Sequence, residues 1–131
     1  MVINKSNLLL FILILLFILS SCGVADDGKI TAKDVIKQNS EADIIQLNGF
    51  IYSNMTELEW FQERKEKLTK HTLLGETKKQ STSRFGFKDW TATKLQEGTK
   101  IYSASENGSE LDILIVEYDD KVFYYMKLLE G

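Results

Sequence analysis

The sequence is poor in residues that stiffen or cross-link a chain: its 131 residues include no proline and one cysteine, Cys22. A single cysteine excludes an intramolecular disulfide, so burial and hydrogen bonds must hold the folded domain together. One histidine, His71, is present. No serine or cysteine lies in a recognisable nucleophile setting, so no catalytic triad is predicted around it. Residues 84–88 hold one glycine where a phosphate-binding loop needs several.

The chain also lacks an excess of positive charge. The chain has 16 basic and 19 acidic residues, a formal net charge of -3. Loss of residues 1–21 would lower this to about -4, because Lys5 is the only charged residue among them. The acidic balance argues against nucleic acid as a partner and against electrostatic adhesion to an anionic membrane. No cofactor is predicted.

Residues 1–25 predict where the chain is located. A polar start with Lys5 is followed by an apolar run at residues 8–19 and then by Leu19-Ser20-Ser21-Cys22. This order of regions is typical of a secretory signal peptide. About 12 apolar residues form roughly 18 Å of helix, which is short against roughly 30 Å of bilayer hydrocarbon.

The segment Leu19-Ser20-Ser21-Cys22 resembles the lipobox of bacterial lipoproteins. The resemblance implies a diacylglyceryl group on the Cys22 thiol and cleavage before Cys22, which makes residues 1–21 the signal peptide. Two or more acyl chains anchor a protein durably, whereas one binds only marginally. The alternatives are an uncleaved transmembrane anchor and an ordinary signal peptide cut elsewhere, for example at Ala25. The predicted location is the extracytoplasmic face of the cell membrane.

The remaining chain is long enough for one domain with a modest core. Residues 22–42 are predicted to be a tether with a short helix, for which Thr31 is the candidate N-cap. Residues 43–131 are predicted to form a β-rich globular domain. Within it, Thr56 and Glu59 match a capping box, which predicts an amphipathic helix that runs to about Lys70.

Three turn signals organise the predicted strands. Asn48-Gly49 separates strand-forming runs at residues 43–47 and 50–53, and this pair favours a type I′ hairpin. Asn107-Gly108 and Asp119-Asp120 predict two further turns between later strands. Residues 113–116 are apolar on both alternating faces, which indicates a strand covered on both sides or a strand inside a small closed barrel.

About six short strands and one amphipathic helix predict an α+β fold. We expect a small, strongly curved antiparallel sheet or an SH3-like barrel, because a closed or strongly curved sheet suits so few residues. Several segments resemble a group of small secreted or lipid-anchored proteins of Bacillus and related Firmicutes: ADIIQLNGFIYSN (42–54), LEW (58–60), LGE (74–76), ATKL (92–95) and GTKIY (98–102). The resemblance covers most of the chain after about residue 33. It implies location and fold, and it supplies no catalytic residue.

The candidate binding site is an aromatic segment that contains Arg84, Phe85, Phe87 and Trp90. Together with Trp60 and the flanking Lys88, these aromatic rings and cations suit a platform for a peptide, a glycan or the lipid interface. The alternative is that the rings close one end of the domain as part of its core. The predicted function is a non-enzymatic interaction module at the cell envelope, with an envelope protein or a wall component as candidate partner.

The alternative function is a cell-wall-acting hydrolase that uses paired carboxylates. Candidate pairs are Asp26 with Asp27, Glu57 with Glu59, and Glu117 with Asp119 or Asp120. The three pairs also suit the tether, a helix start and a hairpin turn, respectively, where acids have structural roles. No spacing matches a calcium-binding loop, so no metal site is predicted.

Overall fold

The computed structural model describes residues 29–129, together with residues 5–7 and residue 9. The predicted signal peptide at residues 1–21 and the predicted lipobox Leu19-Ser20-Ser21-Cys22 lie outside the described residues, apart from those four positions. Among the described residues, no helix has the length and apolar character needed to cross a membrane.

The described domain is built from short helical segments and eight strands. Helix α1 spans Ala32–Gln38, and a 3-10 turn at Glu59–Phe61 continues into helix α2 at Gln62–Lys65. The strands are β1 (Ile44–Leu47), β2 (Phe50–Asn54), β3 (Thr69–Glu76), β4 (Lys79–Gln80), β5 (Thr91–Ala92), β6 (Lys100–Glu106), β7 (Ser109–Tyr118) and β8 (Lys121–Lys127).

All eight strands form one sheet in the order β3-β6-β7-β8-β2-β1-β5-β4. Neighbouring strands are antiparallel except β4 and β5, which run parallel. The predicted α+β class and the strong curvature are confirmed, since the sheet curls into a half-barrel. It has eight strands, not about six, because β4 and β5 are two residues each and too short to leave a periodic pattern.

The curl follows from one connection. Strands β3 and β4 lie at opposite edges of the sheet, yet only Thr77 and Lys78 separate them. Three Cα steps span at most about 11 Å, so the two edges must meet at this corner. Backbone bonds hold it there: Thr77 N–H donates to the Thr99 carbonyl at 2.9 Å, and Lys78 N–H donates to the Trp90 carbonyl at 2.8 Å.

The inner face of the sheet holds the largest cluster of buried side chains. Six strands contribute to it, and its members are Ile45, Leu47, Tyr52, Ala92, Leu95, Ile101, Leu114, Val116 and Tyr125. On the outer face, α1 covers Ile44 and Ile51, while Phe61 and Leu68 cover Ile113 and Ile115. The prediction that residues 113–116 are covered on both sides is therefore confirmed.

Local signals specify the hairpins and the first helix as predicted. Both residues of Asn48-Gly49 have positive φ, at 51° and 79°, and both residues of Asn107-Gly108 do so at 54° and 82°. Asp119-Asp120 forms the third turn, with φ values of 53° and 58°. Thr31 caps α1 in a reciprocal capping box with Asp34. The pKa of the Asp34 carboxyl is lowered by its hydrogen bonds from the Thr31 side chain and backbone.

The amphipathic helix predicted from Thr56 to about Lys70 is wrong in its extent. The helical segment ends at Lys65, and β3 already begins at Thr69. Thr56 does not cap it, because its hydroxyl accepts a hydrogen bond from Tyr124 N–H at 2.8 Å and donates to Asn54 at 2.6 Å. The bond from Tyr124 ties Thr56 to β8, and the bond to Asn54 ties it to the end of β2, so these partners override local helix propensity.

Candidate binding surface

The predicted binding residues lie in the aromatic loop (residues 84–90), just before β5. The C-terminal end of this loop is hydrogen-bonded to the turn between β1 and β2. Asp89 accepts hydrogen bonds from Gly49 N–H at 2.9 Å and from the Gln46 amide at 3.0 Å. Trp90 N–H donates to the Gln46 carbonyl at 2.8 Å. The loop is therefore held by side-chain and backbone bonds at the β1–β2 turn.

A small turn presents Phe85 at the surface. The Ser83 hydroxyl accepts a hydrogen bond from Phe85 N–H at 3.2 Å, which is the arrangement of a serine turn. Gly86 follows with φ at 69°, a conformation that costs glycine nothing because it has no Cβ. The Phe85 side chain is left 63% exposed.

The four predicted residues divide between surface and core. Phe87 packs against the cluster under α1, and Trp90 packs against the inner cluster of the sheet. A Cβ built on Gly75 would lie 2.6 Å from the tip of the Trp90 ring, so the indole rests directly on the β3 backbone. Phe87 and Trp90 therefore pack into the core, as the alternative interpretation expects. Arg84 and Phe85 lie at the surface, as a binding site requires.

Two cations flank the exposed ring. The Arg84 guanidinium carbon lies 5.0 Å from the Phe85 ring centroid, and the Lys33 ammonium, on α1, lies 5.8 Å from it. Both distances are within the range of cation–π attraction. A cavity of about 260 Å³ lies between α1 and the aromatic loop, and Lys33, Arg84 and Phe87 help to line it. Helix α1 and the aromatic loop thus form one continuous surface.

A second aromatic residue with paired cations lies nearby and was not predicted from the sequence. The Phe50 ring centroid is 4.8 Å from the Lys29 ammonium and 4.3 Å from the Lys127 ammonium. Lys127 also forms a 3.1 Å ion pair with Asp112, and its side chain is only 17% exposed. Burial opposes the charge on Lys127, but hydrogen bonding and charge interaction with Asp112 and Tyr52 outweigh that cost and raise the pKa of Lys127.

The carboxylates of the alternative function lie in separate places. Glu57 and Glu59 lie at the start of the 3-10 turn, and Asp26 and Asp27 lie outside the described residues. Glu117, Asp119 and Asp120 lie where β7 leads into β8. Glu117 and Asp119 line a shallow cavity of about 430 Å³ together with Glu97, Lys100 and aromatic side chains. Glu117 is bound to Lys70 in a 2.9 Å ion pair. Glu117 thus has a structural partner on β3.

The remaining polar candidates have structural partners. His71 lies within β3, and its Nδ1 is 3.1 Å from a Glu110 carboxylate oxygen. The described part of the chain holds no group of three or more histidine, cysteine, aspartate or glutamate side chains suited to a metal ion. Trp60 is also exposed, at 60%, but it belongs to the 3-10 turn and not to the aromatic loop.

The candidate site is therefore the exposed Phe85 ring with the Arg84 and Lys33 cations beside it. The loop that carries Phe85 is hydrogen-bonded to the β1–β2 turn. Comparisons of the chain with protein-family models, with curated proteins and with solved structures found no match.

Proposed function

We propose that this protein is a lipid-anchored extracytoplasmic domain that acts by binding at the cell envelope and not by catalysis. Cys22 carries the anchor in this proposal, and residues 1–21 are its signal peptide. The surface around Phe85, Arg84 and Lys33 is the binding site. Phe87 and Trp90 support that surface from the core side.

The observation that carries the proposal is the exposure of Phe85. A large ring left 63% exposed contributes little burial to the fold, although Phe87 and Trp90 nearby are packed. Aromatic residues beside arginine are enriched where proteins bind partners. The loop is also held by hydrogen bonds, which lowers the entropy lost when the ring is engaged.

The binding surface is tested with Phe85→Ala in the intact protein, crosslinked in its native envelope. We expect the variant to unfold at the same urea concentration as the wild type and to lose its crosslinked material. Trp60→Ala is the matched control, because Trp60 is similarly exposed at a different place. Unchanged crosslinking in Phe85→Ala would refute the assignment of the surface.

The anchor is tested separately with Cys22→Ser. A serine hydroxyl cannot replace the thiol that lipidation requires, so we expect the variant to remain unprocessed and to carry no acyl chain. Gel mobility and labelling with a fatty-acid analogue measure both effects. Equal labelling and equal length of the two proteins would refute the lipoprotein assignment.

The proposal also retains the SH3-like description of the half-barrel. It is supported by the small size of the domain and by the corner where β3 leads into β4 after only two residues. Nuclear Overhauser contacts between Trp90 and Gly75 would be expected in solution. Their absence would mean that the edges of the sheet are apart.

A further inference from the structure

Two turns of the fold have the same chemistry and different surroundings. Asn48-Gly49 and Asn107-Gly108 are the two asparagine–glycine pairs of the chain. Both asparagines have positive φ, at 51° and 54°, and each pair joins two antiparallel strands as a hairpin turn. A difference in reactivity between the two pairs must therefore come from the structure around them.

An asparagine that precedes glycine reacts with its own backbone. The glycine N–H loses its proton to hydroxide, and the nitrogen attacks the carbonyl carbon of the asparagine side chain. This new C–N bond closes a succinimide ring, while the bond to the side-chain nitrogen breaks and ammonia leaves with a proton from water. Water then opens the ring at either carbonyl and gives aspartate or isoaspartate. Glycine favours the attack because it has no Cβ in the way.

The first pair is held closed by its neighbours. Gly49 N–H donates a hydrogen bond to the Asp89 carboxylate at 2.9 Å, and the same carboxylate accepts from the Gln46 amide at 3.0 Å. Strands β1 and β2 lie inside the sheet between β5 and β8, and Leu47 and Ile51 beside the turn are buried. The nitrogen that would attack is therefore occupied, and the turn cannot open without disturbing the core.

The second pair lies at an open tip. Among residues 29–129, no group accepts a hydrogen bond from Gly108 N–H, and a Cβ built on Gly108 meets no atom within 4 Å beyond its chain neighbours. Residues 107–110 are exposed. The β6–β7 ladder is irregular between Ser103 and Ser105, so only two residue pairs close the tip beyond that point. An exposed hairpin end with few pairs opens at a low free-energy cost.

Opening of the turn controls the reaction, because ring closure needs the asparagine backbone to leave its left-handed conformation. Nearby charge acts in the opposite direction: the Lys29 ammonium near Gly49 favours loss of the proton there, whereas acids flank the second turn. Water and salt weaken the interactions of such surface charges. The charge-assisted bond from Gly49 to Asp89 must break before attack, which slows reaction at Asn48 by about tenfold or more.

We propose that Asn107 is a modification site at which the folded protein converts itself to isoaspartate or aspartate, while Asp89 protects Asn48 from the same reaction. The site takes up water and releases ammonia. Isoaspartate adds one carbon atom to the main chain of the turn, and both products add a negative charge beside Glu106 and Glu110. The longer turn and the like charges loosen the end of the β6–β7 hairpin. The inference is independent of the proposed anchor and binding surface.

The test uses full-length protein kept at mildly alkaline pH, both folded and in urea. Mass spectrometry of its peptides measures the mass gain at each asparagine, and isoaspartyl methyltransferase with a labelled methyl donor counts isoaspartate. In urea we expect similar rates at the two sites, because only the folded structure distinguishes them. In the folded protein we expect Asn107 to react about tenfold or more faster than Asn48.

Variants test the cause of the difference. Asp89→Ala removes the acceptor of Gly49 N–H, so it should speed reaction at Asn48 by about tenfold and leave Asn107 unchanged. Asp89→Asn keeps an oxygen acceptor and should speed it less. Asn107→Gly is the matched control for the second turn, because a Gly-Gly pair also suits this hairpin and has no side chain to react. Urea unfolding checks that each variant remains folded.

Equal rates at Asn48 and Asn107 in the folded wild type would overturn the proposal, because the bond to Asp89 would then protect nothing. Reaction of both sites in urea and of neither in the folded protein would overturn it as well, since the β6–β7 tip would then be closed. Continued protection of Asn48 in a folded Asp89→Ala protein would overturn the role assigned to Asp89.

Discussion

Gly75→Ala tests the feature on which the half-barrel depends, the meeting of its two edges. The added methyl would lie 2.6, 3.0 and 3.0 Å from three atoms of the Trp90 ring. Real Cβ contacts are not that short, so the indole must move away from β3. Overpacking of this kind costs about 1–3 kcal/mol of unfolding free energy. We expect a loss in that range, measured by urea unfolding and far-UV circular dichroism.

A double-mutant cycle separates the steric clash from backbone strain, because Gly75 also has φ at 158°. Trp90→Phe removes the part of the ring that the methyl would meet, so Gly75→Ala should cost less in that background. The expected coupling is about 1 kcal/mol. Gly98→Ala is the control, because Gly98 has positive φ but no atom within 4 Å of an added methyl. Additive effects of the two substitutions would refute the claim that the edges meet at Trp90.

Three further predictions concern the framework around the surface. Thr31→Ala should cost about 1 kcal/mol and speed amide hydrogen exchange in α1, because the capping box is lost. Tyr125→Phe should cost about 1–3 kcal/mol at neutral pH in urea unfolding, because Asp43 loses the 2.8 Å hydrogen bond from the phenol. Stability should also fall as the pH rises above about 10. Burial raises the pKa of Tyr52, Tyr124 and Tyr125, so the unfolded chain releases phenolic protons first. The raised pKa of Lys127 acts in the same direction. In Tyr125→Phe, the urea midpoint of unfolding should therefore fall less steeply with rising pH than in the wild type.

The turns and the first helix were predictable because their causes are local. Asn48-Gly49 and Asn107-Gly108 accept positive φ wherever they occur, so each pair specifies a hairpin without help from the rest of the chain. The capping box of Thr31 likewise needs only the next turn of helix. The same pattern failed at Thr56, because its hydroxyl bonds to Tyr124 of the distant strand β8 and to neighbouring Asn54 instead of to a helix start.

The candidate site was predictable only in part. Phe85 and Trp90 lie five residues apart in one aromatic segment, and nothing local distinguishes their roles. Trp90 is packed because the curled sheet brings Gly75 under its ring, whereas the Phe85 ring is left exposed beside two cations. The cations that flank Phe85 come partly from α1, some 50 residues earlier in the chain.

The sequence by itself determined the turns, the α+β class and the composition of charge, since each depends on residue identity and near neighbours. Only the tertiary structure decided which aromatic ring is exposed and where each charge lies. The reason is physical: burial and electrostatic potential depend on distances through space. Those distances were set when the connection between β3 and β4 drew the two edges of the sheet together.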